Sequence, residues 1–232
     1  MMTRTTSFLV RFVAIATVAF VTGCTSMPTM DPAVRGPFFA PSNHGGVPML
    51  PAALRRVVLL PVCGGTVTTP EMAEALDRVF ATALLKENRF EMVVLTREEC
   101  RRRFGVEELS STSALPNDFM QKLRRDYAVD AVLFVDLTSL QAYPPLNLGV
   151  RAKLATVEDV RLLWNFDSVF SASDTTVVNS ARRHFLKGSG AGAPMDLSHS
   201  VLQSPSRFGE YAAAATFATL PPVFAGVPVG EK

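Results

Sequence analysis

Apolar residues along this chain fall into two kinds of pattern. Arg56–Val62 (RVVLLPV), Phe90–Leu95 and Asp130–Leu137 (DAVLFVDL) are near-continuous aliphatic runs, which suit strands covered on both faces. Between the first two runs, Thr69 stands as an N-cap with Pro70 at the first helical position. The helix they open runs to about Asn88, and its apolar stripe is Met72, Leu76, Val79, Phe80, Ala83 and Leu84. Thr96-Arg97-Glu98-Glu99 is a capping box that opens a short helix. Residues 104–115 read as a polar, Ser-rich loop, and Pro116 opens a helix with Phe119, Leu123 and Tyr127 on one face.

After Leu137 the period changes. Leu148, Val150, Ala152, Leu154 and Thr156 alternate with Gly149, Arg151, Lys153 and Ala155. After Glu158-Asp159, Leu162, Trp164, Phe166, Ser168 and Phe170 form one side of a second segment. Period-two alternation across a short turn predicts an antiparallel hairpin. Helices are expected near 175–186, with Asp174 as N-cap, and near 206–219, separated by a Gly/Ser/Pro-rich loop from Lys187 to Pro205. The order predicts an α/β fold. Its mixed sheet has about five strands, begins with a right-handed βαβ unit and ends in the hairpin, whose outer edge is expected to be open to a partner strand.

The first residues are of another kind. Arg4 and Arg11 precede an uncharged apolar stretch, Phe12–Val21, and then Val21-Thr22-Gly23-Cys24. The stretch is shorter than the ~20 residues that cross a bilayer and suits a signal peptide. The tetrad resembles the lipobox of bacterial lipoproteins. That resemblance implies cleavage between Gly23 and Cys24, with fatty acyl groups on Cys24; an ordinary secretory leader is the alternative. Thr25, rather than Asp, follows the cysteine, which leans toward the outer membrane. Residues 1–23 are therefore expected as leader, 24–54 as the lipidated cysteine and a Pro-rich linker, and 55–232 as one periplasmic α/β domain. Six prolines within 25–54 favour an extended tether, although Phe38-Phe39 offer a segment that packs on the domain.

Two of the 23 basic residues lie in the leader, and without them the balance with the 21 acidic residues is even. A neutral mature chain argues against nucleic-acid binding. Cys63 and Cys100 lie just past strand ends; an oxidising compartment permits a disulfide between them, but separate buried thiols are the favoured reading. No Cys/His spacing suits a metal, and no cofactor is expected. His44, His184 and His199 stand in no recognisable nucleophile motif. Gly64-Gly65-Thr66 lacks the lysine and spacing of a phosphate loop and reads as a tight turn. Asp130 and Asp136 suit strand-end caps better than paired acid/base chemistry. Arg101, Arg102 and Arg103, flanked by Glu98, Glu99, Glu107 and Glu108, are either a self-paired helix face or a docking patch. Trp164 is either a core anchor or an exposed binding anchor.

The segments RVVLLPV, YAVDAVLFVDL and VRAKLATVEDVRLLWNFDSVF, over residues 55 to 175, resemble one known group. It is the periplasmic α/β domain shared by the curli-secretion lipoprotein, the lipoprotein activators of penicillin-binding proteins and the amino-terminal domain of the Tol–Pal translocation protein. Pro61, Asp130-Ala131-Val132 and Val157-Glu158-Asp159 through Trp164 carry the likeness; the hairpin turn departs from the group's Thr-Gly. The resemblance implies a non-catalytic, membrane-anchored module that binds an envelope protein. Alternatives are a subunit of an oligomeric secretion or assembly complex, and a small-ligand binding protein.

Overall fold

The computed structural model describes residues 31–189 and 194–223. In chain order these form α1 (Pro32–Arg35), β1 (His44–Gly46), β2 (Arg56–Leu59), α2 (Pro70–Glu87), β3 (Glu91–Val94), α3 (Arg97–Phe104), α4 (Phe119–Tyr127), β4 (Ala131–Gln141), β5 (Asn147–Thr156), β6 (Leu162–Ser171) and α5 (Thr175–Gly188). A 3-10 helix (Met195–Gln203) and α6 (Pro205–Phe217) follow. The sheet order is β1-β6-β5-β4-β2-β3. β2 pairs in parallel with β3 and β4, and the remaining neighbours are antiparallel. The fold is α/β with a mixed sheet, as the pattern predicts, with six strands rather than about five.

Local chemistry sets the helix starts. The Thr69 hydroxyl accepts from Met72 N–H, and the Thr96–Glu99 capping box is complete in both directions. Asp174 accepts from Thr176 N–H. The helix expected from Pro116 begins only at Phe119, because Asp118 takes a left-handed φ of 57° and makes no side-chain cap. Part of the loop expected from Lys187 to Pro205 is the 3-10 helix.

The strand runs explain the two apolar layers. On β2 and β4, Val57, Leu59, Leu133 and Val135 face one cluster, shared with Leu76 and Phe80 of α2 and Phe208 and Phe217 of α6. Val58, Leu60, Val132 and Phe134 face a second cluster, with Cys100 of α3 and Phe119 and Leu123 of α4. No β6 side chain enters that second cluster, so the second face of the hairpin is not roofed by α3 and α4. The register between β5 and β6 shifts at Leu154/Ala155. This bulge turns both Leu163 and Trp164 inward and leaves Leu162, expected on Trp164's side, 47% exposed.

The extra strand comes from the stretch read as linker. From Asp31 to Leu54 the chain packs on the domain. Ala33, Leu50 and Leu54 are buried, and Phe39 meets Phe170 edge-on at 5.5 Å. Phe39 N–H donates to Thr176 O and Leu50 N–H to Pro222 O. β1 pairs His44 with Phe166 and Gly46 with Trp164. The hairpin edge expected to recruit a partner strand is thus taken over these residues by the chain itself. Prolines here punctuate a wrapping segment; scattered apolar side chains anchor it between them. Gly23, Cys24 and the rest of residues 1–30 lie outside the described residues.

Candidate functional site

Open α/β sheets bind ligands at the carboxyl ends of strands, where successive connections part to opposite faces. Here the strand order reverses between β2 and β4. At the neighbouring carboxyl ends, β2 leads to α2 on one face and β3 to α3 on the other, and Arg97, the first residue of α3, joins the two. Its Nε donates to Asp77 Oδ2 at 2.8 Å, and one terminal nitrogen donates to Glu108 Oε2 at 2.7 Å. The other donates to Val62 O at 2.6 Å and Asp77 Oδ1 at 3.1 Å. Asp77 Oδ1 also accepts from Val62 N–H at 2.7 Å.

Glu108 closes the site from the loop. Its Oε1 accepts from Gly65 N–H at 2.8 Å and from the Cys63 thiol at 3.6 Å. Gly65, at φ +51°, takes a left-handed conformation that suits glycine. The weak phosphate-loop likeness of Gly64-Gly65-Thr66 thus ends with an internal carboxylate on the Gly65 amide. Burial raises the Asp77 carboxyl against the Arg97 bonds. Burial also acts upward on Glu108, yet the Arg97 and glycine-amide bonds hold it below the usual range. Burial, with Glu108 and Asp136 adding negative charge, pushes the Cys63 thiol up to about 12.

Asp136 is buried, and both its oxygens accept from Ser111 N–H, at 3.0 and 3.3 Å. Lys153 Nζ donates to Ser111 O at 3.2 Å, so two charged side chains clamp one residue of the 105–118 loop. Asp130 Oδ2 accepts from Arg55 and Arg56 N–H, at 2.8 and 2.9 Å. Asp130, just before β4, therefore pins the start of β2, while Asp136, within β4, pins the 105–118 loop, and the two do not form an acid/base pair.

Beyond Asp136 the sheet is open. Asp136 registers with Arg151, and Arg151 with Asp167. Arg151 Nε donates to Asp167 Oδ2 at 2.7 Å, with both side chains about one-third exposed. Val169, on the same strand, is 49% exposed. The result is an open face with a charged cross-strand pair and an apolar residue beside it. It adjoins a groove of about 520 Å³ lined by Cys63, Thr66, Thr112, Asp136 and Arg151, among others.

The other site candidates find structural roles. Trp164 is 1% exposed, stacked beside Phe166, and does not serve as an exposed binding anchor. Arg101 pairs with Glu107, Arg102 with Glu99 and Arg103 with Asp126, so the basic cluster is a self-paired surface. Cys63 and Cys100 are free thiols, not the candidate disulfide. Cys100 is sealed in the second cluster, where burial pushes it up to about 12, while Cys63 faces Glu108. His44 lies in β1, His184 in α5 and His199 in the 3-10 helix, apart from the Arg97 crevice. Among the described residues, no group of three or more His, Cys, Asp or Glu is placed to hold a metal ion, and no helix is long and apolar enough to cross a membrane.

In the sequence, Arg97 stands within a capping box and near the Arg101–Arg103 cluster, and neither position points to its partners. Its partners stand 20 and 11 residues away, and no local motif links them. Arg182 was missed too. Only 5% of its side chain is exposed; it donates to Asp31 Oδ2 at 2.6 Å and Ser198 Oγ at 2.9 Å.

No protein-family model matches the chain, and no curated protein matches it in sequence. Solved structures do. A PelC dodecamer from Paraburkholderia phytofirmans is 11% identical, with a TM-score of 0.44, over 77% of this chain and 96% of that one. The lipoprotein GNA1162 from Neisseria meningitidis is 17% identical, with a TM-score of 0.41, over 58% and 94%. The LpoB C-terminal domain from Salmonella enterica is 14% identical, with a TM-score of 0.33, over 50% and 82%. Each TM-score is below 0.5, so none of their roles transfers to this chain.

Proposed function

We propose that the protein is a membrane-anchored periplasmic lipoprotein whose domain binds another envelope protein without catalysing a reaction. The observation that carries this reading is the uncovered face of the hairpin, where Arg151, Asp167 and Val169 are exposed to different extents. Arg97, at the carboxyl ends of β2 and β3, is bonded to two carboxylates and a backbone carbonyl and serves cohesion.

The surface left for recognition is the open face of the hairpin. The partly exposed cross-strand pair Arg151–Asp167 supplies charge for register with a partner, and Val169 supplies apolar area at its margin. Cys24 carries the lipid and keeps the domain at a membrane, with the outer membrane favoured by Thr25.

Site-specific photo-crosslinking in intact cells tests this reading. A crosslinker at Val169 is expected to capture one envelope protein, and capture is expected to fall when Arg151→Glu breaks the pair. A crosslinker at Val94, on the opposite edge strand, is the control. Capture from Val94 but not Val169 would move the interface off this face. Capture of a second copy alone would replace the reading with self-assembly.

A further inference from the structure

The packing of residues 31–54 shortens the tether. Thirty residues of linker would span up to about 100 Å, but chain order places Cys24 only seven residues before Asp31. Seven residues reach at most about 25 Å. A domain of this size is on the order of 40 Å across. A lipid on Cys24 therefore holds the Asp31 side of the domain nearest the bilayer.

That side is built by Arg182. Its guanidinium bridges Asp31, which caps α1, and Ser198 of the 3-10 helix, so both short helices are held to α5 at one place. They carry exposed apolar side chains: Val34 at 47%, Met195 at 37% and Leu197 at 56%. Two basic residues accompany them, against one exposed acid, Asp196, between Met195 and Leu197. Arg35 ends α1, and Arg183 lies 4.2 Å over the Phe38 ring. Both are exposed, and neither has an ion pair among the described residues. Apolar side chains beside unpaired cations suit an interface with anionic headgroups.

We propose that the surface formed by α1 and the 3-10 helix rests on the bilayer, with Leu197 and Val34 at headgroup depth and Arg35 and Arg183 against anionic lipid. The proposal rests on the reading of Cys24 as the lipid-bearing residue. It orients the domain: β3, at the far edge of the sheet from β1, points away from the membrane.

The test uses the full lipidated protein in vesicles of brominated phosphatidylcholine and phosphatidylglycerol, which quench nearby tryptophan. The chain's single tryptophan, Trp164, is buried and serves as an internal reference. Leu197→Trp is expected to lose more than half of its added emission, and Val94→Trp none. Val34→Trp provides a second reporter on the same surface. Arg35→Glu combined with Leu197→Trp is expected to weaken the quenching. Protein that floats with the vesicles while Leu197→Trp and Val34→Trp stay bright would overturn the docked surface and leave the anchor standing. Equal quenching at Leu197→Trp and Val94→Trp would overturn the orientation. Protein that fails to float would remove the anchor, and the surface with it.

Discussion

Replacing Arg97 with Met should destabilise the domain by about 2–4 kcal/mol. Its side chain is 15% exposed, and those of Asp77 and Glu108 are 21% and 26% exposed. Removing one partner of a buried pair costs about 3–5 kcal/mol, because the other charge stays desolvated. A surface pair contributes about 0–1 kcal/mol. This site lies nearer the first limit, and Val62 O also loses a charged donor. At a urea dependence of about 2–3 kcal/mol per M, the unfolding midpoint should fall by roughly 1 M. Far-UV circular dichroism should hold, since Thr96 and Glu99 still cap α3.

The pH dependence sharpens the test. Glu108 is depressed in the folded protein, so its contribution is present above the ordinary Glu value and fades as pH falls through the folded value. Asp77 is raised, so its penalty acts above the ordinary Asp value and is relieved by protonation. The two partly cancel in the wild type. Without Arg97 both carboxylates rise, and the destabilisation of Arg97→Met should shrink from pH 7 toward pH 4. Adding Asp77→Asn and Glu108→Gln should recover much of the loss at neutral pH. A midpoint within ~0.2 M of wild type at pH 7 would refute the assignment of Arg97 as the cohesive plug.

Other outcomes follow from single contacts. A Cβ at Gly149 would run into Thr138 Oγ1 and Ser139 beside the β4 bulge, so Gly149→Ala should lower stability by about 1–3 kcal/mol in a denaturant titration. Arg182 holds the Asp31 carboxyl below its usual range, so this clamp is at full strength above the ordinary Asp value and lost as pH falls through the folded one. Asp31→Asn should therefore speed proteolysis within 31–54 at pH 7, and the difference from wild type should narrow in acid. Cys63 and Cys100, both raised to about 12, should resist alkylation at pH 8 until the domain unfolds, and mass spectrometry should find both reduced.

Much of the fold was legible because local and tertiary preferences agree. The aliphatic runs of β2 and β4 are buried on both faces, and the caps at Thr69, Thr96 and Asp174 use their own side chains. β1 was not legible. His-Gly-Gly has no strand preference, and pairing with Phe166 and Trp164 makes it extended. The prolines around it obscured the buried Leu50 and Leu54. The hairpin bulge reversed Leu162 because strict alternation has no sign for an extra residue. The Arg97 and Arg182 sites were hidden for one reason: each joins groups brought together only by folding, 20 residues apart for Arg97–Asp77 and 151 for Arg182–Asp31.

The lipid at Cys24 is read directly by the intact mass of the protein purified from membranes. The predicted mass is that of the chain beginning at Cys24 plus its acyl groups, with a Cys24→Ala variant lost from the membrane fraction. A mass that retains residues 1–23, or that begins at Cys24 with no added lipid, would contradict it.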